Sequence, residues 1–155
     1  MFTDTYNDKI VSELNDLLEK NYDGEKGYQE AAEETESTIL KNLFQECSQQ
    51  RYDFGHAIKA EIAKIGGEPD KGSSITSAVH RAWIDFKTLF TDNDDVAVLQ
   101  ECINGEKAAL KEYNEALYET TLPDSTKEVV NGQRDQIVNL IDRMETLKQT
   151  FKKQA

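Results

Sequence analysis

Apolar residues return every three or four positions along most of this chain, and five stretches carry that period. Helical steps of roughly 100° place Leu14, Leu18, Asn21, Glu25, Tyr28 and Ala32 on one stripe of a first helix. It starts after Thr3 or Asp4, either of which can cap it, and runs to about Glu34. A second helix, from near Ser37 or Thr38, turns Leu40, Leu43, Phe44, Cys47, Arg51, Phe54, Ile58 and Ile62 inward. Gly66-Gly67-Glu68-Pro69 stops it, since glycine followed by proline is a C-terminal signal. In the next connection Val79, Trp83, Phe86 and Phe90 recur at helical spacing and predict a short helix, ended by Asp92-Asn93-Asp94-Asp95. That acidic run caps the next helix; it lacks the glycine and distal glutamate of a calcium loop. The third long helix, about Asp95 to Thr120, aligns Leu99, Ile103, Glu106, Leu110, Tyr113 and Leu117. After Leu122-Pro123, Asp124 or Ser125 caps a fourth, with Glu128 suited to a capping box. Its inward residues are Val130, Ile137, Ile141, Met144 and Phe151, with Gln133 and Arg134 at the seam.

Short connections join the helices pairwise and one long connection joins the pairs. The fold class this implies is all-α: a ferritin-like antiparallel four-helix bundle with a short extra helix in the long crossover. It forms a single domain over 1–155, with hairpin 1 at 4–65, the crossover at 66–94 and hairpin 2 at 95–152. The hairpins read as a repeat. Gly24-Glu25-Lys26 returns 81 positions later as Gly105-Glu106-Lys107, and Gln50-Arg51 returns 83 positions later as Gln133-Arg134. The expectation is two superposable hairpins with Glu25 and Glu106 at one depth.

Composition narrows the function classes. A chain of 155 residues can bury a real core without staples. Its 30 acidic and 18 basic residues leave a net charge of -12, which repels nucleic-acid phosphate and anionic membrane, so neither is an expected partner. Cys47 and Cys102 fall on inward stripes without CxxC spacing and read as buried free thiols in a reducing compartment. Met1-Phe2-Thr3-Asp4-Thr5 has no basic or apolar leader character. A cytoplasmic location is expected. The aromatic candidates Phe2, Tyr6 and Tyr52, together with the long helices, suggest a homodimer.

The chemistry lies in the carboxylates, because Glu25 and Glu106 stand where a core apolar residue belongs, and a buried unpaired charge is very costly. Di-metal bundles of this class place one Glu on each of two helices and Glu-x-x-His on the other two. Glu25 and Glu106 match the first half. Glu46-x-x-Gln49 and Val130-x-x-Gln133 do not match the second, and Asp53-x-x-His56 faces away from the apolar stripe. Glu46, Gln50 and Gln133 remain the candidates to fill out a metal site, and His80 sits at an edge without a second histidine near it. Arginine is the competing partner, since a guanidinium can donate two parallel hydrogen bonds to one carboxylate. Glu25 with Arg51 and Glu106 with Arg134, or the same four cross-paired, would form a buried polar layer. Gly24, Gly27, Gly105 and Gly132 beside it predict close helix packing or a π-bulge.

Gly24-Glu25-Lys26-Gly27-Tyr28, Gln49-Gln50-Arg51, Gly66-Gly67-Glu68-Pro69, His80-Arg81-Ala82-Trp83, Glu101-Cys102 with Gly105-Glu106, Tyr113 with Glu115-Ala116-Leu117, and Gln133-Arg134 together resemble an uncharacterised bacterial four-helix-bundle family. That family is a domain of unknown function grouped with the ferritin-like folds, and the resemblance runs from about Leu14 to Leu147. It implies the fold; its fold relatives include iron-binding ferritins and rubrerythrins and stress-induced bundles. Their ligands carry over only to Glu25 and Glu106. The leading expectation is a non-enzymatic, stress-related bundle without a cofactor, holding a Glu/Arg layer in place of a metal centre. The alternative is a di-iron or di-manganese carboxylate protein using Glu25 and Glu106.

Overall fold

The computed structural model describes residues 2–72, 77–119 and 121–154. Its elements are α1 (Phe2–Glu34), α2 (Thr38–Lys64), α3 (Ser77–Thr91), α4 (Asp95–Glu119) and α5 (Asp124–Gln154), with no strand among the described residues. The side chains of Phe2 and Val79, and Thr120 as a helix end, lie outside what is described.

Local chemistry explains most of the boundaries. Ser37 caps α2, its hydroxyl oxygen accepting the Leu40 N–H at 3.2 Å. At the other end Gly66 takes φ +86, a left-handed conformation that glycine adopts without steric cost, and the Gly67 N–H closes on the Ile62 carbonyl. Asp94 caps α4 by accepting the Ala97 N–H at 3.0 Å. Two expected caps are corrected. Helix α1 already includes Phe2, so Thr3 and Asp4 are helical residues rather than caps. In α5, Asp124 is already helical, Glu128 is exposed, and the Ser125 and Thr126 hydroxyls donate instead to Glu61 on α2. A buried carboxylate needs those donors more than a helix end open to water does.

Each long helix packs on two others: α1 on α2 and α4, and α5 on α2 and α4. Among the described residues α2 and α4 make no close backbone approach, nor do α1 and α5, so these pairs occupy the diagonals. Contacts between distant residues fix the directions. Tyr6 near the start of α1 meets Thr121 after α4, Glu61 near the end of α2 meets the start of α5, and Lys148 late in α5 meets Gln100 early in α4. Neighbouring helices are therefore antiparallel, and the diagonal pair α2 and α4 run parallel. The crossover must climb the full length of the bundle. Its lower part lies along α1: Asn15 accepts the Asp70 N–H at 2.8 Å and donates to the Glu68 carbonyl at 3.1 Å, and the Tyr22 hydroxyl donates to the Asp70 carbonyl. Its upper part is α3, which packs on α1 and α4.

The core is a single cluster in which Ile10, Leu14, Leu18, Leu40, Phe44, Ile58, Ile62, Leu99, Ile103, Tyr113, Ile137 and Met144 are fully buried. Cys47 and Cys102 are buried free thiols.

The reading of the four glycines holds at one position. A Cβ on Gly24 would meet Arg51 Cγ at 3.2 Å, so the Arg51 side chain passes under α1 through the space that glycine leaves. A Cβ on Gly27, Gly105 or Gly132 would meet nothing within 4 Å, and the helices carrying them are α-helical throughout their described lengths. Gly105→Ala should therefore stabilise the protein by roughly 0.5–1 kcal/mol through helix propensity and a less flexible unfolded chain. Gly24→Ala should give no such gain and should destabilise, because Arg51 must move. Urea melts of the two variants check the contrast.

Candidate functional site: a buried polar layer across the bundle

The charged centre of the bundle is one ion pair on a diagonal. Arg51 on α2 and Glu106 on α4 are each only 3% exposed, and Arg51 Nη2 donates to Glu106 Oε1. The second carboxylate oxygen, Oε2, accepts from the Tyr28 hydroxyl on α1. Arg51 Nη1 donates to Asn21 Oδ1 at 3.3 Å, and its guanidinium lies 5.8 Å from the centre of the Phe54 ring.

From Asn21 the network continues without charge. Its amide nitrogen donates to the Leu17 carbonyl at 2.8 Å and to the Tyr113 hydroxyl oxygen at 2.9 Å. Tyr113 donates in turn to Gln133 Oε1 at 2.6 Å, and Gln133 Nε2 donates to the Phe54 carbonyl at 3.1 Å. One connected set therefore touches α1, α2, α4 and α5. Arg51 Nε is buried without a hydrogen-bond partner among the described residues.

Burial and charge act together on these groups. Burial would lower the Arg51 pKa, but the Glu106 carboxylate and the Tyr28 phenol outweigh it and raise it above the ordinary arginine value. Burial, reinforced by Glu106, holds Tyr28 well above the usual phenol range, and burial pushes Tyr113 up to about 12. Burial likewise pushes the Cys47 thiol up to about 12. Tyr28 and Tyr113 are therefore neutral donors at physiological pH, and Cys47 is a neutral thiol.

Only two of the four residues expected in the layer are paired at its centre. Glu25 is half-buried and lines a groove between α1 and α2 with Gln29, Lys41, Gln49 and Tyr52, so the Glu25–Arg51 pairing gives way to Glu106–Arg51. Arg134 has a side chain 33% exposed and reaches Asp135 at 3.0 Å and Asn114 at 3.4 Å, so the Glu106–Arg134 pairing is absent. The physical reason is a difference of one residue, or about 100°: α2 turns Arg51 inward and leaves Gln50 half-buried, whereas α5 turns Gln133 inward and leaves Arg134 half-buried.

The candidates for a metal site are scattered. Glu46 is exposed and pairs with Arg143 at 2.6 Å, while Gln50 and Gln133 line a groove between α2 and α5. His56 is exposed and stacks on Tyr52 at 5.5 Å, Asp53 accepts from Gln49, and His80 is exposed. Among the described residues no group of three or more His, Cys, Asp or Glu side chains is arranged to hold a metal ion. Sequence reasoning missed the roles of Asn21, Tyr28 and Tyr113. All three sat on the inward stripes, and their polar tips were the available signal.

Comparison with protein families places the chain. It belongs to the family described as Domain of unknown function (DUF2383), whose model matches residues 9–119, from within α1 to the end of α4. Comparison with characterised proteins gives no match.

Removing one member of a buried ion pair strands the other. Arg51→Ala and Glu106→Ala should each cost about 3–5 kcal/mol, and the double variant less than their sum. Tyr28→Phe should cost about 1.5–3 kcal/mol, the usual range for a hydrogen bond to a charged group. Glu25→Ala and Arg134→Ala should stay below about 1 kcal/mol. Denaturant melts of this set test the assignment, and additive effects of the first two substitutions would refute the pairing.

Carboxylates that are partly or wholly buried outside the central layer give a pH signature. Burial first, then like charges, raises Glu13 (Asp16, Glu119) and Glu19 (Asp70, Asp23); burial also raises Asp23 and, with Asp94, Asp95. A carboxyl raised in the folded state binds its proton more tightly there, so its stabilisation is full below the unfolded pKa and is lost as pH rises through the folded one. Glu61 runs the other way. Burial would raise it, but hydrogen bonds from Lys64, Ser125 and Thr126 prevail and lower it, so its contribution is lost only as pH falls below the ordinary carboxylate value. Stability should therefore increase from neutral pH toward the upper edge of the carboxylate range and decrease at stronger acidity. Urea midpoints across pH, at fixed ionic strength, measure this.

Proposed function

We propose that this protein is a non-enzymatic, ferritin-like helical bundle in which the Arg51–Glu106 pair takes the place of a di-metal centre. Its role is contact with partners or with a second copy in the cytoplasm, of the stress-related kind. The observation that carries the reading is the commitment of both Glu106 oxygens, one to Arg51 and one to Tyr28. A cation would have to displace a guanidinium that already balances the charge. The up-down-down-up order of the four long helices, with one end-to-end crossover, supports the ferritin-like grouping. The pairing of Glu46 with Arg143 and the half-buried position of Glu25 weigh against the di-iron or di-manganese alternative. Among the described residues no helix is long and apolar enough to cross a membrane. Among the described residues, exposed Tyr6, Ile39, Tyr52, Ile84, Tyr118 and Val138 are the large apolar groups available for association.

Elemental analysis of protein purified without chelator, together with melts in added iron or manganese, tests the proposal. The expected result is substoichiometric metal and an unchanged midpoint. About two equivalents of metal, with a midpoint that rises with metal through binding to the folded state and loses that response in Glu106→Ala, would overturn it.

A further inference from the structure

The bundle is not sealed equally on all sides. Helix α3 packs on α1 and α4 and has no close backbone approach to α2 among the described residues, yet Phe90 of α3 meets Phe44 of α2 edge-on at 6.4 Å. Phe90 therefore enters the core between α1 and α4. Behind it a continuous set of rings leads inward and outward. Phe44 lies 5.9 Å from Tyr28, whose hydroxyl holds Glu106, and Phe86 and Trp83 follow Phe90 outward at 5.1 and 5.4 Å.

Depth can be counted from the Phe90–Phe44 contact. Because α3 is antiparallel to α4 and to α2, one turn down α3 brings Phe86 to the level of Cys47, and two turns bring Trp83 to the level of Arg51. Cys47 stands four residues before Arg51 and Cys102 four residues before Glu106 on parallel helices, so the two thiols share a level as well. The plug thus covers the thiols and the ion pair.

Its attachment is thin. None of the described α3 side chains is fully buried; Trp83, Phe86, Leu89 and Phe90 are partly buried, whereas α2, α4 and α5 each carry at least eight buried residues. Among the described residues its ion pair to the bundle, Lys87 with Glu34 at 3.6 Å, is about half exposed on both sides and stabilises little. Segments with few buried apolar contacts open at lower free energy than the global fold.

We propose that α3 is a detachable cover, plugged by Phe90 between α1 and α4, whose opening gives solvent and ligands access to the buried layer of Tyr28, Cys47, Arg51, Cys102 and Glu106 while the four long helices stay folded.

The two thiols report on this directly, since a buried thiol is alkylated only when it is uncovered. Alkylation by iodoacetamide under native conditions, read by peptide mass spectrometry at Cys47 and Cys102, should run at least tenfold faster than global unfolding allows. Its rate should change little with low urea. Phe90→Ala should accelerate labelling tenfold or more. Lys87→Glu, which replaces the Glu34 contact by repulsion outside the core, should accelerate it several-fold with the global urea midpoint nearly unchanged. The Lys87→Glu result decides the matter if Phe90→Ala fails to fold. Labelling that follows global unfolding in its urea dependence, or rates in both variants that change only as their midpoints do, would overturn the proposal.

Discussion

A guanidinium and a carboxylate at the centre of a helical bundle are tolerable only together. Each alone would forfeit its hydration with nothing in return, and that condition propagates through this molecule. Arg51 and Glu106 lie on diagonal helices, so the arginine must cross the core, and its stem crosses where Gly24 has no side chain. Glu106 has lone pairs left over, and Tyr28 supplies a donor from α1. Arg51 has donors left over, and Asn21 accepts one of them. The depth of α1, α2 and α4 relative to one another is thereby set by polar geometry, whereas apolar packing alone would tolerate a slip of one helical turn.

The pair is not chiefly a source of net stability, because desolvation offsets most of its Coulombic gain, and well-packed apolar residues can do as well or better. Its physical contribution is discrimination. An arrangement with α5 alone rotated by one residue, α4 staying in place, would bring Arg134 toward the core and turn Gln133 away. Arg51 and Arg134 would then compete for one carboxylate, leaving a buried positive charge. In the observed arrangement each hairpin contributes one charge of opposite sign to the central layer, and the two other charged residues of the repeat, Glu25 and Arg134, stay at seams within reach of water.

The fold was legible in the sequence because its signals are local and redundant. The period of Leu40 through Ile62, the stop at Gly66-Gly67 and the cap within Asp92-Asn93-Asp94-Asp95 each state an element or its boundary, and all three recur in the structure, the cap falling to Asp94. The site was legible only in part. Glu106 and Arg51 could be identified as charged groups on apolar stripes, but their pairing crosses a diagonal that no local pattern encodes. The repeat misdirected the rest: Gln50-Arg51 and Gln133-Arg134 look equivalent in sequence, yet the inward residue is the second of the pair in α2 and the first in α5, a difference that the repeated dipeptide does not carry. Gly105 and Gly132 misled for a related reason. Gly105 echoes Gly24 in sequence and Gly132 stands beside Gln133, but no arginine stem passes beneath either of them.

The extent of the family match bears on how the layer is built. Residues 9–119 include Asn21, Tyr28, Arg51, Glu106 and Tyr113, the whole charge-balancing set and the first neutral link beyond it. Helix α5 lies outside that span and brings to the layer one neutral amide, Gln133, which accepts from Tyr113 and donates to the Phe54 carbonyl. The division makes physical sense. A missing charge partner leaves an uncompensated ion, whereas a missing neutral partner leaves at most an unmade hydrogen bond, a penalty of about 1–3 kcal/mol. The electrostatic problem of the central Arg51–Glu106 pair is thus solved within α1, α2 and α4, and the closing helix completes the apolar core, caps the polar chain and supplies the Ser125 and Thr126 donors to Glu61.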